Sequence, residues 1–108
     1  MRRMLQRVIP IQPAFGRPTV AMAGPVTRLS GPPEHVERLR AALEAAVARV
    51  MGHPPAGWLR ELRLDEGEAF VGVAPHLGHD GIESAEIAFD TLRRLLPDTD
   101  IYVGAARA

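Results

Sequence analysis

Cysteine and lysine are both missing from this chain, and no stretch of it is apolar for long. Without cysteine the chain alone can hold no disulfide, no thiolate nucleophile, no thioredoxin-type dithiol and no Cys-ligated iron–sulfur cluster. Without lysine every cation is an arginine, a residue that favours bidentate carboxylate contacts. Its apolar runs stop far short of the roughly 20 residues that a membrane helix needs, so no membrane partner is expected. The N-terminus lacks a signal peptide's unbroken apolar region and small-residue cleavage site, which makes a cytoplasmic location the expectation. Acidic residues are also missing from the first 33 positions.

What is present fits one domain. A chain of 108 residues has room for a single core, and so small a domain leaves much surface for partner contacts. Net charge is formally zero but unevenly spread. Arg2, Arg3, Arg7, Arg17 and Arg28 precede any acid, whereas residues 34–108 hold 13 acids against 8 arginines, a formal −5. Such asymmetry can mark a nucleic-acid arm. Five arginines over 28 residues are sparse for that, and Phe15 is the only ring among them, so nucleic acid is the third reading. Pro10, Pro13, Pro18, Pro25, Pro32 and Pro33 rule out a long helix or a central strand in this region. Residues 1–33 therefore read as a Pro/Gly-rich basic arm. It packs on the body or on a partner, or adds an edge strand, with Arg7–Ile11 and Thr19–Ala23 as candidate extended pieces.

The body, residues 34–108, reads as α-β-β-α-β. Val36, Leu39, Leu43, Ala46, Val47 and Val50 recur at three and four, predicting a helix over 34–51 that Gly52, Pro54 and Pro55 end. WLRELRL at 58–64 alternates imperfectly, Asp65-Glu66-Gly67-Glu68 is a turn, and AFVGVA at 69–74 is a second strand, which together predict a hairpin. A second helix is predicted over 82–96, with Ile82, Ala85, Ile87 (or Glu86), Phe89, Leu92 and Leu96 keeping its helical period. IYVGA at 101–105 is a third strand, parallel to one hairpin strand after a helical crossover. The expected fold class is α+β, a two-layer α/β sandwich with an N-terminal extended arm.

Chemistry gathers in one stretch, APHLGHDGIESAE at 74–86. His76, His79, Asp80 and Glu83 are near enough in sequence to form a Zn, Fe or Ni site, which needs three or four convergent ligands. Gly78 and Gly81 permit an anion-binding turn ahead of the second helix, and Asp80 can instead cap that helix. Acid–base catalysis would need His76 or His79 oriented by a carboxylate. There is no G-x-S-x-G motif and no phosphate loop, so a non-enzymatic protein is the expectation. Trp58, Phe15 and Arg17 are the candidate interaction residues, Trp58 as a surface anchor or a core residue.

The spacing of RELRLDEGEAFVGVAP and HLGHDGIESAEIAFDTLRRLLPDTDIYVG resembles the small domain of the MIP18 and PaaD proteins of iron–sulfur assembly (the DUF59 type). More distantly it is similar to the C-terminal scaffold domain of NifU-like proteins. The resemblance covers about residues 36–107 and implies a helix, a hairpin, a loop, a second helix and a final strand. It further implies an accessory or adaptor role in iron–sulfur or metalloprotein maturation, with a protein partner or a homodimer. Those families place cysteine in the loop before the second helix, where this chain has PHLGHDG. The chain alone therefore carries no cofactor on this reading, and a cluster would need a partner's cysteines. The alternative is a small metal- or anion-binding protein, conceivably catalytic, centred on His76 and His79.

Overall fold

A computed structural model describes residues 26–106. It shows a mixed α/β fold of two helices and a four-stranded sheet: β1 (Arg28–Ser30), α1 (Pro33–Met51), β2 (Leu59–Asp65), β3 (Glu68–Val73), α2 (His79–Leu95) and β4 (Asp100–Ala105). The sheet runs β1-β2-β3-β4. β1 lies parallel to β2, β2 antiparallel to β3, and β3 parallel to β4. Two β-α-β units thus meet at the β2–β3 hairpin.

The fourth strand corrects the three-stranded expectation. Arg28–Ser30, inside the stretch read as an arm, pairs with Glu61, Leu62 and Arg63. Thr27 Oγ1 donates to the Leu59 carbonyl at 2.7 Å and fastens the strand's start. Gly31 follows with φ 130°, and a Cβ there would stand 3.0 Å from both the Cβ and the carbonyl oxygen of Leu64. Only glycine fits that turn from β1 into α1. The other two extended pieces foreseen, Arg7–Ile11 and Thr19–Ala23, lie outside the described residues.

α1 forms as its apolar spacing dictates. Pro32 and Pro33 stand where amides lack partners anyway, and the Pro32 carbonyl accepts from the Val36 amide. Gly52, at φ 81°, closes the helix through its amide to Ala48. Val36, Leu39, Leu43, Ala46 and Val47 are buried. In β2 the imperfect alternation has a cause: the register shifts between Leu59 and Glu61, a bulge. It brings Leu59 and Leu62, three apart, onto the same side, and both are buried. The hairpin turns through Glu66 and Gly67, with Gly67 at φ 78°.

The helices pack on each other and on the strands, closing a core of Leu39, Leu43, Val47, Trp58, Leu62, Val71, Val73, Ala88 and Leu92 among others. α2 begins at His79, three residues before the expected start, and presents a different face. Its buried residues are Gly81, Ser84, Ala88, Thr91 and Leu92, whereas Ile82 and Phe89 are 59% and 39% exposed. Small side chains allow close approach to α1. The two buried hydroxyls bond back along the helix, Ser84 to the Asp80 carbonyl and Thr91 to that of Ile87.

Candidate functional site

The β3–α2 junction holds the residues singled out for chemistry. Ala74 is buried and its amide bonds the Trp58 carbonyl. The chain then turns outward through His76, the one non-glycine residue at positive φ (66°) among the described residues. Gly78, at φ 63°, precedes α2, and its carbonyl accepts from the amides of Gly81 and Ile82. Gly81 is buried in the first turn, where a Cβ would meet the Leu77 Cβ at 3.0 Å. Asp80 is not the cap: it lies within the first turn, and no side chain caps the helix.

His76, His79, Asp80 and Glu83 are all exposed. No group of three or more His, Cys, Asp or Glu side chains among the described residues comes close enough to hold a metal ion. The arrangement sets the two histidines on opposite sides of the loop-to-helix boundary, with His79 as the first residue of α2. Of the two readings of Trp58, surface anchor or core residue, the core one holds: it is 5% exposed and packed in the core. Its place directly before β2, on the helix-packed side, buries it. Phe15 and Arg17 lie outside the described residues.

A second region was not singled out in the sequence. A broad open depression of about 1050 Å³ crosses α2, with Ala46 and Val50 of α1 on its wall and Ile101 and Val103 of β4 on another. Ile82 and Phe89 stand in it, as do Arg49, Glu86, Asp90 and Arg94. Arg94 donates to Asp90 at 2.7 Å, and the Arg93 guanidinium lies 5.7 Å from the Phe89 ring centre. On the other side of the sheet Phe70 stacks on Tyr102, 5.0 Å between ring centres and 21° between planes. Arg63 lies 4.0 Å over Phe70, and its Nε is 3.5 Å from Asp65. Arg28 faces Glu61 at 3.6 Å across β1 and β2. This face is a crossed pattern of rings and paired charges without a single sign.

Among the described residues, the clear electrostatic shifts lie elsewhere, at Glu37 and Arg40. Arg40 on α1 grips Glu37 through its guanidinium and reaches Glu44 at 2.9 Å. These hydrogen bonds hold the Glu37 carboxyl below the usual range and raise Arg40 above its own. Both are surface residues that brace the helix. A repeated apolar pair seven residues apart (Ile82 and Phe89), beside the small-residue positions 81, 84 and 88, was the available signal for the depression.

The chain matches no protein-family model, and no curated protein and no solved structure matches it either. No helix among the described residues is long and apolar enough to cross a membrane.

Proposed function

We propose that this chain is a non-enzymatic accessory or adaptor module that acts by protein–protein contact, serving iron–sulfur or metalloprotein maturation. Its body is a two-layer α/β sandwich with both helices on one side of the sheet. The observation that carries the reading is the exposed apolar stripe of α2, Ile82 and Phe89, beside a strand edge with no neighbour among the described residues. Exposed apolar side chains gathered in one depression mark contact surfaces, and a free strand edge takes up a partner by strand addition. The element order from α1 to β4 is the order that the MIP18/PaaD resemblance implies, which supports the maturation setting.

A photo-crosslinking residue at Phe89 tests this in extract of the native host, with Glu66 at the hairpin tip as control. The expected result is a defined adduct at position 89 alone, with a partner that co-purifies reciprocally with the unmodified chain. Adducts no different from those at Glu66 refute the contact reading.

A further inference from the structure

Among the described residues, one side of the β4 backbone has no partner. Asp100 and Ala106 send their amides to the carbonyls of Gly67 and Val73. Residues 100, 102, 104 and 106 therefore turn their backbone groups toward β3, and by alternation Ile101, Val103 and Ala105 turn theirs outward. Gly104, in the middle of this edge, has no explanation among the described residues. Its φ is outside the positive range, and a Cβ there would meet nothing within 4 Å. A glycine inside a strand weakens it and often marks the close approach of another backbone.

We infer that the occupant of this edge is a second copy of the chain, β4 pairing antiparallel with the partner's β4 about a two-fold axis at Val103. The inference deepens the contact-module reading and rests on it. In this register Val103 faces the partner's Val103, and Ile101 faces the partner's Ala105. All three outward residues then bond across the axis, whereas an axis at Tyr102 or Gly104 loses one of those pairs. Tyr102 comes to lie opposite the partner's Gly104 as a non-hydrogen-bonded pair, the closer kind, with Cα atoms about 4.5 Å apart. The missing side chain gives the Tyr102 ring, already stacked on Phe70, a flat neighbour.

The helices agree with this register. α2 touches both β3 and β4, so the partner's α2 stands two strand spacings away, roughly 9.6 Å. That falls within the roughly 8–10 Å of packed helices. Ile82 and Phe89, exposed in the protomer, line the space between. Charge permits it as well. Residues 26–106 carry 8 arginines and 13 acids, a net −5 that opposes self-association. The depression, by contrast, holds Arg49 and Arg94 against Glu86 and Asp90, so its own charges balance.

Sedimentation velocity and native mass spectrometry of the full chain across micromolar concentrations test the inference. The expected species has twice the 11.7 kDa chain mass. Gly104→Lys enters open space in the protomer, so it should keep the far-ultraviolet spectrum and yield a monomer. Val103→Pro, which removes an outward N–H, should do the same. A wild-type chain that stays monomeric overturns the inference, as does a Gly104→Lys chain that stays dimeric. A monomer that dimerises only after deletion of residues 1–25 assigns the edge to that segment and also overturns it. The contact-module reading fails separately: a monomer that still gives a defined heterologous adduct at position 89 refutes only the self-pairing.

Discussion

The facing of α2 yields a quantitative contrast between two truncations on one helix. Leu92 is fully buried, whereas Ile82 is 59% exposed. Each truncation to alanine removes three carbons. At about 0.8 kcal/mol per buried methylene, Leu92→Ala loses roughly 2.4 kcal/mol of transfer energy before any cavity is counted. With the cavity left behind, the loss should fall in the measured range for such sites, about 2–5 kcal/mol. Ile82 keeps about two-fifths of its side chain covered, so the same truncation should cost about 1 kcal/mol. Trp58, the only tryptophan, is buried in the core and supplies the fluorescence signal for urea unfolding, with stability from linear extrapolation. The comparison belongs in the Gly104→Lys background, where a second copy cannot cover Ile82. Equal losses at the two positions there would refute the observed facing of α2. In the wild type the Ile82→Ala loss should grow with protein concentration, because assembly adds stability by mass action.

Three further outcomes follow from single features. Gly31→Ala should destabilise by about 1–3 kcal/mol through positive-φ strain, with added crowding against Leu64, and a urea midpoint equal to wild type would contradict this. Glu37 should titrate below the ordinary glutamate value of about 4.3 by carboxyl NMR, and Arg40→Gln should move its midpoint up. Because the folded-state value is the lower one, the pair's small contribution is present above the unfolded value and fades as pH falls through the folded one. Zinc added at one equivalent should leave the His76 and His79 imidazole resonances unmoved, since no three ligands converge and residues 1–25 and 107–108 contain no His, Cys, Asp or Glu. Shifts at both rings that vanish in His76→Ala/His79→Ala would show otherwise.

Elements with strong periodicity were legible in the sequence, and those that depend on contacts were not. The α1 stripe gave the helix nearly to the residue, because Val36, Leu39, Leu43, Ala46 and Val47 are buried, Val50 alone of the stripe staying 59% exposed. In α2 the same rule found Leu92, Ala85 and Leu96, which are in or against the core, but also chose Ile82 and Phe89, which are exposed. The buried side holds the small Gly81, against Leu77 of the loop, Ser84, against Met51 of α1, and Ala88 instead of Ile82 and Phe89, a choice that no hydrophobicity count makes. β1 offered no pattern at all: three residues, all exposed, held by pairing to β2 and by Thr27. Trp58 reads more readily as core than as anchor from the sequence, and the structure buries it. The histidine loop was visible as spacing, yet spacing alone does not make side chains converge.

The two edges of the sheet differ in a way that favours β4 as the working one. Natural edges are blunted by shortness, charge and proline. β1 has these features: it is three residues long, begins with Arg28 paired to Glu61, and leads at once into Gly31, Pro32 and Pro33. β4 has six residues and no proline, and its one charge, Asp100, lies at its start. Its outward backbone belongs to Ile101, Val103 and Ala105, none of which can repel an approaching strand. An edge of that kind on an isolated domain invites aggregation. Placed beside the apolar stripe of α2, with Gly104 at its middle, the same edge has the features of a strand built to be covered.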